Sequence, residues 1–141
     1  MRTAVVGAIV ALLLCCGCGS EAYVDMQSVD AYHWSDPVSI VYDNSDITTP
    51  KDIAVALRYN DSFDSDTLTV VIQTSLPDVH QTRERMLLRL NRDYKATALT
   101  LSECVGYRDN CLLNQSGYYI FTITPCRTVR GIEAVGIEIA E

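Results

Sequence analysis

Six cysteines carry the most reactive chemistry in this chain, and they fall into two groups of three. Cys15, Cys16 and Cys18 close the stretch Leu12-Leu13-Leu14-Cys15-Cys16-Gly17-Cys18-Gly19-Ser20-Glu21, whereas Cys104, Cys111 and Cys126 lie far downstream. A thiol that follows a short apolar run and a small residue is the acceptor for diacylglycerol in a bacterial lipoprotein signal. Cys18 follows Gly17, the small residue a signal peptidase accommodates most readily, so Cys18 is the expected lipidation site and Cys16 the second choice. Cys15 stands three places before Cys18, where leucine is usual. Palmitate-type acyl chains stabilise membrane association by about 0.8 kcal/mol per buried methylene, so two or three of them anchor a small domain stably.

The downstream group suggests different chemistry. An exported chain meets an oxidising compartment, and a Cys104–Cys111 disulfide would close a hairpin or excursion around Gly106 and Asp109-Asn110. On the chain-entropy description such a loop contributes roughly 2.5 kcal/mol. Cys126 is an alternative partner for either thiol, and three buried, reduced cysteines are a further arrangement.

Other reactive side chains are scattered. His33 and His80 have no second ligand at metal spacing, so no metal site is expected. Asp61-Ser62-Phe63-Asp64-Ser65-Asp66 is rich in oxygen, but an EF-hand counted from Asp61 needs glycine and glutamate where Asp66 and Ile72 stand. Neither a Gly-x-Ser-x-Gly elbow nor a phosphate-binding glycine loop occurs, so no enzyme, no cofactor and no small-molecule substrate are expected. Trp34 with Tyr32, and Tyr118 with Tyr119, have the chemistry to stack on sugar rings, which makes a glycan-binding module the alternative reading.

Charge narrows the partners. The chain has 141 residues, 11 basic against 18 acidic, and a net charge of -7. A phosphate-tracking surface needs the opposite sign, which excludes nucleic acid as a partner. Electrostatic attraction to anionic lipid is excluded on the same ground, so membrane attachment must come from the N-terminal lipid anchor. The anchor segment has the parts of a secretory signal: Arg2, an apolar run from Ala4 to Leu14, and small residues before the cleavage point. Eleven residues at helical rise reach roughly 16 Å, too little for a hydrocarbon core of about 30 Å. The expected organisation is a lipoprotein signal peptide over 1–17, a lipidated N-terminus and tether over 18–30, and one folded domain over 31–141.

Within that domain the periodicity is that of strands. Ile53, Val55, Leu57 and Tyr59 share one face between Lys51 and Asn60, and Leu68, Val70 and Ile72 do so between Thr67 and Ser75. The short polar link between these two segments predicts antiparallel neighbours. Val38, Ile40 and Tyr42 alternate, as do Met86, Leu88 and Leu90. Thr97 to Leu101 and Tyr118 to Thr124 read as further strands, the latter central. In the last segment Val135, Ile137 and Ile139 point one way, with Glu133 in phase. Glu21 to Asp30 alternates only weakly, as an edge strand or an extended tether. The pattern predicts an all-β fold, an antiparallel β-sandwich of about seven to eight strands, immunoglobulin-like or jelly-roll-like, with an open barrel as the alternative.

Several stretches taken together resemble the gliding-motility lipoprotein H (GldH) family. They are the lipobox, Trp34-Ser35-Asp36, Leu57-Arg58-Tyr59-Asn60 with Phe63, Leu68-Thr69-Val70-Val71-Ile72, and Gly131-Ile132-Glu133-Ala134-Val135-Gly136-Ile137-Glu138-Ile139. The resemblance spans nearly the whole chain, and Pro125-Cys126-Arg127 and the cysteines around Gly106 depart from it. It implies a cell-envelope lipoprotein held by its lipid at a membrane, expected to be the outer one, with the periplasmic or surface side open. It implies no catalytic residues, and its partners would be envelope proteins of a motility or surface-secretion complex.

Overall fold

The computed structural model describes residues 22–92 and 99–141. The expected acylation sites Cys18 and Cys16, the signal peptide, and Thr97 and Ala98 of an expected strand lie outside the described residues. Eight strands are present: β1 (Tyr23–Ser28), β2 (Val38–Asn44), β3 (Lys51–Asn60), β4 (Thr67–Ser75), β5 (Gln81–Arg89), β6 (Thr100–Cys111), β7 (Gly117–Pro125) and β8 (Ile132–Ala140). They form two four-stranded sheets, ordered β1-β8-β3-β6 and β2-β7-β4-β5, with antiparallel pairing throughout. The all-β sandwich expected from the periodicity is the fold.

Alternation decides which face of each strand goes inside. Val55, Leu57, Ile137 and Val135 from one sheet and Ile40, Val70, Ile72, Phe121 and Ile123 from the other are fully or almost fully buried in one core. Burying each such side chain contributes about 1.5–3 kcal/mol relative to exposure. Arg58, between buried Leu57 and Tyr59, faces solvent.

Three expectations need correction. β3 and β4 are not neighbours: β8 and β6 occupy both edges of β3, and the link from Asp61 to Asp66 crosses to the other sheet with Phe63 buried in the core. The hairpin expected between Cys104 and Cys111 is one continuous strand, in which Gly106 pairs with Ala54 instead of turning the chain. Glu133 is out of phase with Val135, because the β3–β8 register shifts between Arg58 and Tyr59. That bulge sets Ile132 opposite Tyr59 on the buried side.

The domain also begins earlier than expected. Of the two readings of this stretch, edge strand or extended tether, the strand is found: Tyr23–Ser28 pairs along β8 from Ile139 to Ala134, so the boundary expected at residue 31 moves back to Tyr23. Gly136 makes this possible. A Cβ there would lie 1.9 Å from Asp25 O and 2.6 Å from Met26 Cα, both backbone atoms of β1. Gly136→Ala is therefore expected to cost about 3 kcal/mol or more in urea denaturation, since a strand must move. Gly106→Ala, whose nearest neighbour would be Asp109 Oδ1 at 4.0 Å, should stay within about 0.5 kcal/mol of the parent.

Candidate interaction site

The residues singled out by their chemistry do not converge. Cys104, Cys111 and Cys126 are all free thiols. Cys104 and Cys111 lie on the same strand, β6, where seven steps of about 3.3 Å separate them by about 23 Å. A disulfide needs Cα atoms about 4.4–6.8 Å apart, so the expected Cys104–Cys111 bond is ruled out by the extended backbone between them. Cys104 Sγ donates instead to Glu138 Oε2 at 3.3 Å. Partial burial first, and that bond second, push its pKa up to about 11, which leaves it a protonated thiol near neutrality.

His33 and His80 sit at opposite ends of the sandwich, and His80 Nδ1 is 2.9 Å from Asp78 Oδ1. No group of three metal-ligating side chains occurs among the described residues. The oxygen-rich link over 61–66 is organised around Phe63 rather than an ion. Its Phe63 and Ser65 carbonyls both accept from Arg92 Nη1, the second at 3.3 Å. A guanidinium thus holds the carbonyls that a cation would need.

Trp34 is only 2% exposed, its Nε1 donates to Asp36 O at 2.8 Å, and its backbone pairs both ways with Val129. It is a core residue and offers no ring face to a sugar. Tyr119 is buried, while Tyr118 (62% exposed) and Tyr32 (78% exposed) stand near opposite ends. The aromatic residues therefore do not form one stacking platform.

What does converge is a polar and aromatic knot where β3 ends. Tyr59 Oη donates to Glu103 Oε2, and Glu103 Oε1 accepts from Asn91 N at 2.6 Å. Arg92 lies over the Tyr59 and Phe63 rings, 5.8 and 5.9 Å from their centroids. Burial first, then the Glu103 bond, raise the Tyr59 pKa, so the phenol stays a donor. Asn60 Nδ2 donates to Glu133 Oε1 at 3.0 Å, and Thr100 Oγ1 donates to Glu133 Oε2 at 3.2 Å. Gly131, at φ 92°, lets this end close: a Cβ there would meet Phe63 N at 2.1 Å. Leu57, Tyr59, Phe63, Gly131 and Ile132 thus meet in the interior, where they hold the fold.

The opposite end is tied by two buried polar residues the periodicity did not mark. Asn44, 1% exposed, donates through Nδ2 to Leu113 O at 2.9 Å and Gln115 O at 2.8 Å. Lys51, 3% exposed, pairs with Glu141 at 3.0 Å and Asp46 at 3.9 Å. Apart from Asp46, these partners lie 69 to 90 residues away in sequence.

Side chains bridge the two sheets on both open sides of the sandwich. On one, Tyr23 Oη donates to Val41 O at 3.0 Å and Gln27 Nε2 to Ser39 O at 2.7 Å, joining β1 to β2. On the other, Glu84 of β5 accepts from Tyr107 Oη at 2.9 Å and pairs with Arg108 Nη2, both on β6. A cavity of about 200 Å³ opens beside this bridge, lined by Ile53, Leu76, Tyr107, Cys111, Tyr119 and Phe121 among others. What remains for partner contact is sheet surface, strand edge and loop tips.

The chain matches no protein-family model. It matches no curated protein in sequence. Among solved structures, the Yersinia pseudotuberculosis-derived mitogen (YPM) aligns over 86% of this chain and 86% of its own, at 8% identity and a TM-score of 0.37. At that distance nothing of the mitogen's activity carries over.

Two outcomes follow from the geometry. Alkylation of the unfolded protein should label Cys104, Cys111 and Cys126 equally with or without prior reduction, and a Cys104–Cys111 cross-linked peptide in the mass spectrum would contradict the β6 strand. The Glu84 bridge predicts a pH dependence. Arg108 first and Tyr107 second lower the Glu84 pKa, so its contribution is full above the unfolded value of about 4.3 and is lost as pH falls through the lower folded value. Both partners are well exposed to solvent, so Glu84→Gln should cost only about 0.5–1 kcal/mol at pH 7, and the difference should vanish in urea titrations at strongly acid pH.

Proposed function

We propose that this chain is a lipid-anchored, non-catalytic binding component of the bacterial cell envelope, of the gliding-motility or surface-secretion type. The observation that carries the reading is the N-terminal sequence: Arg2, the apolar run from Ala4 to Leu14, and Cys18 directly after Gly17. Acylation at Cys18 leaves Gly19 to Ala22 before the first strand, which begins at Tyr23. Five extended steps reach at most about 18 Å, so the lipid would hold the domain close to the bilayer.

The resemblance to gliding-motility lipoprotein H supplies the biological setting, and envelope proteins are the partners it points to. Lipid supplies attachment, and a sandwich with both sides stapled supplies a rigid body on which partners dock. The glycan-binding alternative loses its principal residue, since Trp34 is in the core.

Metabolic labelling with a palmitate analogue tests the anchor. The native protein should carry the label and Cys18→Ser should lose it; retained label would move the site to Cys16, and an unlabelled native protein would remove the anchor. In a gliding host, deletion of the gene should impair spreading and surface-protein export, and normal behaviour in both would refute the setting.

A further inference from the structure

Over β7, β4 and β5 the outward face of the second sheet departs from the acidic balance of the chain. On β5, Arg83, Arg85, Leu87 and Arg89 all point to solvent, opposite Gln73, Val71, Thr69 and Thr67 of β4. Among the described residues none of these three arginines has an ion pair. Further in, β4 and β7 present neutral side chains such as Val71, Gln73, Thr122 and Ile120. No carboxylate stands on the outward rows of these three strands, in a chain of 18 acidic residues and net charge -7.

β5 is also the last strand of its sheet. Among the described residues no strand pairs with its other edge, which therefore presents main-chain donors and acceptors. Its inward side is fixed: Leu88 is buried, and Glu84 bridges to Tyr107 and Arg108 of the other sheet. The bridge ties this edge strand to the other sheet, and its outward charges are left for a partner.

We propose that β5 is a docking edge for an extended acidic segment of a partner protein, which adds as a strand with alternate Asp or Glu side chains facing Arg83, Arg85 and Arg89. Guanidinium groups on alternate residues of a strand recur at about 7 Å, the spacing of same-face side chains on a paired strand. An extended polypeptide matches that repeat by construction, and opposite charges across a strand pair are mutually stabilising. The same arginines oppose self-association, because an antiparallel second copy of β5 would bring arginines into proximity. The edge is thus closed to its own copy and open to an acidic strand.

This inference names a partner chemistry for the binding role proposed above and rests on that role for its biological meaning. The test uses the full acylated chain in detergent micelles and three labelled peptides: alternating Glu-Thr, a block isomer of the same composition, and alternating Lys-Thr. The Glu-Thr peptide should bind in fluorescence anisotropy, more tightly than its block isomer, and should slow amide hydrogen exchange along β5. The R83E/R85E/R89E variant should lose at least about tenfold in affinity for it and gain the Lys-Thr peptide, with unchanged thermal unfolding as the check on folding. Equal binding of the block isomer, no binding at all, unchanged affinity in the variant, or capture of anionic vesicles in place of the peptide would each overturn the proposal. Peptide binding with no palmitate label on the native protein would sink the envelope reading alone, and label without peptide binding would sink this edge alone.

Discussion

The apolar interface between the two sheets is the constraint on which the remaining structure depends. Val55, Leu57, Val135 and Ile137 from one side and Ile40, Val70, Ile72 and Phe121 from the other share a single apolar core. Each strand must therefore keep its pleat in phase, because a slip of one residue would turn its apolar row to solvent. Phase is corrected locally where it would fail. The irregularity opposite Arg58 and Tyr59 releases Glu133 toward Asn60 and Thr100 while Ile132 stays inside. Gly136 lets the first strand lie against the last without a side chain between them. With the core set, polar groups are confined to the ends and sides, and there they act as ties.

Those ties give the domain its character as a rigid body. Arg92 binds the carbonyls of the β3–β4 link and covers two aromatic rings, and Asn44 holds the β6–β7 loop through two carbonyls. Buried charge is kept in pairs, as with Lys51 and Glu141, because an isolated buried ammonium would be strongly destabilising. The chemically suggestive residues are absorbed into this framework: Trp34 packs, Tyr59 donates to Glu103, and Cys104 donates to Glu138. A body proposed to bind partners would do so through its surface, and the arginine-bearing edge is where its surface charge departs from the acidic average.

Much of the fold was readable from alternation alone. Ile53 to Tyr59, Leu68 to Ile72 and Val135 to Ile139 each bury the predicted face. Partnerships between strands were not readable, because alternation specifies a face and not a neighbour; hence the mistaken β3–β4 hairpin. Gly106 and Asp109-Asn110 imitate a turn, yet β6 is an edge strand, where such residues are tolerated and where β3 supplies the pairing. β1 was obscure because its own alternation is weak, and its stability comes from hydrogen bonding to β8. Asn44, Lys51, Glu103 and Arg92 carried no local signal, since their partners are brought together only by the complete fold.

The proposed anchor would join this domain to a membrane through one thiol, and the mature N-terminus carries its signature. Intact-mass spectrometry of the protein purified from native membranes reads it directly. A chain beginning at Cys18 and carrying diacylglycerol or triacyl mass is the result predicted. An unmodified chain, or one whose first residue lies beyond the cysteine cluster, would contradict it.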